Sequence, residues 1–163
     1  MTSRREFLQG GASLAVTAAL GGAAPARRPN ILLLFPDQLR YDWTGANSDL
    51  PLRTPHLDAL AARGMRFSRV VTPSPLCAPA RACLAAGKEY DRCRVPSNKH
   101  DYPLDQTTYY TLLRESGYHV TGCGKFDLHK KTFEWGLDGK HLLPEWGFSD
   151  GIDNAGKRAA IRS

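Results

Sequence analysis

The sequence predicts an α/β fold, and three observations carry that reading. Asn30-Ile31-Leu32-Leu33-Leu34-Phe35 is an unbroken apolar run stopped by Pro36, the pattern of a central strand covered on both faces. Two helices with clear start and stop signals follow, at 54–64 and 79–87, with an alternating β-branched stretch between them at 65–71. A third helix then leads into a second apolar strand, Tyr118 to Cys123. Strands that alternate with helices in this way point to helices layered on a sheet.

Ahead of the first strand, Met1-Thr2-Ser3-Arg4-Arg5-Glu6-Phe7-Leu8-Gln9 gives a charged start. A Gly/Ala-rich apolar run extends from Gly10 to Ala24, and Ala24-Pro25-Ala26 supplies an A-x-A cleavage site. Residues 1–26 therefore read as an export signal cut after Ala26. Ser3-Arg4-Arg5-Glu6-Phe7-Leu8 is close to the twin-arginine pattern, which implies the twin-arginine translocase as a partner and a periplasmic or extracellular destination. The run is too short for a spanning helix and lacks a polar face, so no stable membrane insertion is expected. Residues 27–163 are long enough for one modest domain.

Asp37-Gln38 follow the first strand at its carboxyl end, where open α/β sheets bind ligands; Asp37 also suits a plain turn. In the first helix Thr54 can cap, Pro55 fits the first position and Gly64 can end it, with Leu57, Leu60 and Ala61 as the apolar stripe. Met65 to Val71 alternates as a strand does. Thr72-Pro73-Ser74-Pro75 is a loop that delivers Cys77, and Pro79 to Ala86 forms the next helix, closed by Gly87. Residues 89–103 are polar and irregular. Asp105 or Thr107 caps a helix through Leu112 and Leu113 to Ser116, and Gly117 stops it. The strand Tyr118–Cys123 ends at Gly124-Lys125. From Lys131 onward there is no clear period, and there are no internal repeats.

The net charge of +6 permits an anionic substrate. No basic stripe interleaved with aromatics is present, so nucleic acid is not an expected partner. Lys130-Lys131 and Arg27-Arg28 read as solvated faces. The cysteines at 77, 83, 93 and 123 contain no C-x-x-C pair, which argues against structural zinc; export permits disulfides, and the pairing stays open.

Cys77-Ala78-Pro79-Ala80-Arg81 is the most informative segment. A cysteine stands just before a proline that can open a helix, with an arginine one turn on. The helix start offers N–H groups and the positive end of a dipole to an anion. Arg81 adds a planar donor fork suited to sulfate or phosphate oxygens. C-x-P-x-R with a short apolar helix and Gly resembles the signature of the type I, formylglycine-dependent sulfatases. The likeness runs from Asn30 to about Lys130. Pro29 to Gln38 resembles the family's first strand and metal-binding end, Thr54 to Gly64 its first helix, Phe67 to Gly87 the approach to the modified cysteine, and Thr108 to Lys125 the stretch ending in Gly-Lys.

The resemblance implies an alkaline phosphatase/sulfatase-like mixed sheet flanked by helices, with 27–163 as its N-terminal part. It implies hydrolysis of a small-molecule or carbohydrate sulfate ester. A formylglycine-generating enzyme would oxidise Cys77, whose hydrated aldehyde is the nucleophile. Asp37, Gln38 and residue 77 would hold a divalent metal, with Ca²⁺ foremost. Arg81 would stabilise the oxygen on residue 77, Lys125 would neutralise a transferring sulfate oxygen, and His129 would assist the leaving group.

Two departures stand out. The family often has two aspartates after its first strand, whereas Asp37-Gln38 is similar to a variant in some sulfatases and in phosphonate monoester hydrolases. The family's Lys-x-His is here Lys125-Phe126-Asp127-Leu128-His129, with Asp127 in the usual histidine place. Nothing after Lys131 resembles the family's remaining metal ligands, and the Gly-rich setting of Asp153-Asn154 argues against that pair. The expectation is thus a chain with one side of its site, weak in metal binding and nearly inactive alone. Hydrolysis of a phosphonate or phosphate ester, a non-catalytic exported domain that binds sulfated polyanions, and a fragment without function are the alternatives.

Overall fold

The computed structural model describes residues 28–132 and 138–154. The export signal expected at 1–26 lies outside them. Among the described residues no helix is long and apolar enough to cross a membrane. The chain divides into two compact units, Met1–Met65 and Arg66–Ser163.

In the first unit, helix α1 spans Pro55–Arg63. Pro55 sits where its missing N–H costs nothing, and the Gly64 N–H closes the end on the Leu60 carbonyl at 3.0 Å. Thr54 precedes the helix but does not cap it by the usual bond. Its hydroxyl accepts from the Gly45 N–H at 2.7 Å and donates to Asp58 Oδ1 at 2.8 Å. Asp58 Oδ1 also accepts from the Ala46 N–H at 2.9 Å, so the pair ties α1 to the turn at Gly45–Asn47. Leu57 and Leu60, the predicted stripe, are exposed.

The expected strands at 30–35 and 65–71 do not form ladders, and their apolar side chains are exposed, Leu32 at 81% and Val71 at 89%. A strand exists by virtue of its neighbours' N–H and C=O groups, and an apolar run on its own cannot supply them. Among the described residues the one ladder is elsewhere.

That ladder lies in the second unit, with the core. Helix α2 spans Cys77–Ala86, two residues earlier than Pro79, because a proline in the first turn gives up only an N–H that has no intrahelical partner. It turns Ala78, Pro79, Arg81, Ala82, Cys83 and Ala85 inward. Gly87 ends it in the left-handed region (φ 60°), and the Lys88 N–H reaches back to the Cys83 carbonyl at 3.2 Å. Helix α3 spans Tyr109–Glu115, and its cap is Thr108, not Asp105 or Thr107: the Thr108 hydroxyl accepts from the Thr111 N–H at 3.1 Å.

Strand β1, Thr121–Gly124, pairs in parallel with β2, Asp150–Asp153, in the register Thr121↔Asp150 to Gly124↔Asp153. Leu128, Leu143, Trp146 and Phe148 join the α2 alanines, Cys93, Val95 and Tyr102 in one core. All four cysteines are free thiols. Burial first, then contact with the Cys93 thiol, pushes Cys83 up to about 12, which keeps it protonated and inert.

Gly147 lets the 141–147 turns close on α3. Its φ is 102°, and a Cβ there would stand 2.2 Å from the Thr111 nitrogen. Gly147→Ala is therefore expected to cost on the order of 3 kcal/mol from combined strain and overlap. Urea unfolding followed by Trp fluorescence measures it, and an unchanged midpoint would refute it.

Candidate active site

Cys77 is the first residue of α2 and half-buried. The start of the helix is pinned from outside: Asn98 Oδ1 accepts the Ala78 N–H at 2.9 Å, and Ser74 Oγ accepts the Leu76 N–H at 3.2 Å. Arg81, one turn later, faces the interior rather than solvent, and its Nη1 donates to the Lys125 carbonyl just past β1. Helix α2, which begins at Cys77, and the end of β1 are thus joined through one guanidinium.

Beyond β1 the chain makes a tight, charged turn. Asp127 adopts φ 54°, a conformation Asp tolerates better than most residues. Its buried carboxylate bridges two lysines, with Lys125 Nζ 3.3 Å from Oδ2 and Lys130 Nζ 2.9 Å from Oδ1. Both lysine side chains are only 17% exposed. Lys130 is therefore part of this cluster and not a solvated face. Like charges so close are tolerable because a carboxylate lies between them.

His129 is 1% exposed and packs edge-on to Trp146. Its Nε2 lies 2.8 Å from Asp153 Oδ2, and Asp153 Oδ1 accepts the Phe126 N–H at 3.0 Å. Of the residues expected to act, the structure brings Cys77, Arg81, Lys125 and His129 into this second unit. Asp127, Lys130 and Asp153 are the members sequence reasoning missed. The i, i+3 spacing of Asp127 and Lys130 was a readable signal.

Asp37 and Gln38 lie on a turn in the first unit, Gln38 with φ 57°. A carboxylate and a carboxamide oxygen suit a hard cation, and since calcium takes roughly six to eight oxygens, Asp37 and Gln38 would supply only part of a donor set. Among the described residues no three His, Cys, Asp or Glu side chains gather to hold a metal. Calorimetric titration of the chain with Ca²⁺ is expected to show binding weaker than about 1 mM, the loose end of known protein sites. Micromolar binding that Asp37→Asn abolishes would show the donor set to be complete after all.

A cavity of about 520 Å³ opens at the other end of α2, beside Gly87, Lys88, Arg92, Arg94 and Thr108. It is not the Cys77 site.

Arg81 and the Lys125–Asp127–Lys130 cluster lie at and just beyond the carboxyl end of β1, the part of an α/β sheet where ligands bind. The chain belongs to the sulfatase family: the family model described as Sulfatase matches residues 29–162. It is 37% identical over 137 residues to arylsulfatase A of Homo sapiens, a match covering 80% of this chain and 26% of that protein. It is 42% identical over 98 residues to the choline-sulfatase of Rhizobium meliloti, covering 60% and 19%. It is 32% identical over 107 residues to the ulvan-active sulfatase of Formosa agariphila, covering 64% and 21%. The chain spans about a quarter of the length of the curated relatives it matches, as the 26% coverage of arylsulfatase A illustrates.

Proposed function

We propose that this chain supplies the nucleophile and the anion-holding cations of a sulfuric ester hydrolase. The observation that carries the reading is the link from Cys77 through Arg81 to the Lys125 carbonyl. It ties helix α2, which begins at Cys77, to the main chain of Lys125, whose ammonium is held by Asp127. Oxidation of Cys77 to formylglycine would supply a hydrated aldehyde as the nucleophile. The helix dipole and Arg81 favour negative charge at residue 77, and Lys125 meets a sulfate oxygen as charge develops on it. Asp127 holds Lys125 and Lys130 close together while leaving a net positive charge.

Export through the twin-arginine route belongs to the same proposal. It would deliver the chain folded and already modified.

Peptide mass spectrometry across Ser74 to Arg81, on protein from its own host, tests the nucleophile. A loss of about 18 Da at Cys77 is expected for exchange of the thiol for an aldehyde. An intact thiol, in a host that converts other sulfatases, would defeat it. The same cations would hold a phosphonate, an alternative the Asp37-Gln38 pair keeps open, and comparing turnover of aryl sulfate and aryl phosphonate esters separates the two.

A further inference from the structure

We infer that Asp153 is a positioning residue for the anion site, acting through the 125–129 turn, and that His129 is its partner and not the proton donor to a leaving group. The inference rests on the reading of Lys125 as a sulfate-binding cation.

Asp153 is the last residue of β2, opposite Gly124 at the end of β1. Its main chain is fixed on both sides: its N–H donates to the Gly139 carbonyl at 2.8 Å, and the next N–H, that of Asn154, donates to Gly124 at 2.9 Å. Its side chain is 0% exposed and spends both oxygens on a single short segment, Oδ1 on the Phe126 N–H and Oδ2 on the His129 ring. These contacts bracket Asp127, whose left-handed backbone aims the carboxylate at Lys125 and Lys130.

A buried polar pair is weak evidence for stability, since an apolar pair of similar volume often serves packing as well. What the carboxylate adds is direction. It sets where the turn leaves the strand, and hence where the Lys125 ammonium stands relative to Arg81. His129, with its ring in the interior, is placed to receive that direction and not to meet a substrate. Supporting groups of this kind commonly govern how well a ligand-holding group performs.

The test compares Asp153→Asn, Asp153→Ala, His129→Ala and His129→Gln in the full chain, each first checked for folding by circular dichroism. Gln places an amide nitrogen near the position of Nε2, so it donates to Asp153 without a titrating proton. Inorganic sulfate is the probe, titrated by calorimetry. Asp153→Ala and His129→Ala are expected to weaken sulfate binding by about tenfold or more, the range of supporting-group effects. His129→Gln should recover most of the loss. Wild-type affinity in folded Asp153→Ala, or a His129→Gln as weak as His129→Ala, would overturn the inference.

Nitrogen NMR supplies a readout independent of sulfate. In the wild type the His129 Nε2 is expected to carry a proton toward Asp153, and Asp153→Asn should shift the Lys125 ammonium resonance. An unprotonated Nε2, or an unmoved Lys125 signal, would refute the role of Asp153. Absence of sulfate binding by the wild type would instead defeat the anion-site reading, and the two failures are thereby told apart.

Discussion

Asp127→Asn is expected to destabilise the second unit by about 3 kcal/mol, the scale for removing one partner from a buried charge cluster. The carboxylate is 3% exposed and sits between two ammonium groups that are themselves largely covered. Asparagine keeps the volume and tolerates the left-handed backbone, so the change isolates charge from strain. Without it, Lys125 and Lys130 repel each other with water mostly excluded. In a domain of this size the melting temperature should fall by roughly 10 °C or more.

The same substitution bears on function. An added dianion beside the two lysines can supply the negative charge that is lost, and a ligand that binds only the folded state raises its stability. Sodium sulfate should therefore rescue Asp127→Asn more than sodium chloride does at equal ionic strength, and more than it stabilises the wild type. Differential scanning calorimetry reads both effects. Equal rescue by the two salts would mean simple screening, and the lysine pair would lose its claim to recognise a tetrahedral anion.

How much of this was legible beforehand depends on where the determining contact lies. Helix α2 was readable because its signals are local: a proline within the first turn and a glycine able to take φ 60°. Arg81 was readable from its spacing to Cys77, although its contact with the Lys125 carbonyl lies 44 residues away. The apolar runs at 30–35 and 65–71 satisfy every local criterion for a strand and still make no ladder, because pairing is decided by neighbours.

Strand β2 fails the reverse way. Asp150-Gly151-Ile152-Asp153 has one apolar side chain and lies in the stretch without a clear period, yet its main chain pairs with β1. Gly151 is required there because a Cβ would lie 2.5 Å from the Gly122 carbonyl. Asp153 looked unpromising in that Gly-rich setting. Its importance comes from a histidine 24 residues upstream, a pairing no spacing rule reveals.

Replacing Arg81 separates charge from shape. Arg81→Ala is expected to cost about 4 kcal/mol, by leaving a cavity beside the α2 alanines and a part-buried Lys125 carbonyl without this donor. If Arg81 acted by charge alone, Arg81→Lys would restore the wild type. The expectation is otherwise: lysine keeps the charge but is a strongly hydrated point cation without the planar fork, and its burial is costly. Arg81→Lys should recover less than half of the stability in urea unfolding, and it should bind inorganic sulfate little better than Arg81→Ala. Full recovery of both by lysine would show that residue 81 contributes only a positive charge, and the link from Cys77 to Lys125 would cease to explain how the site is held.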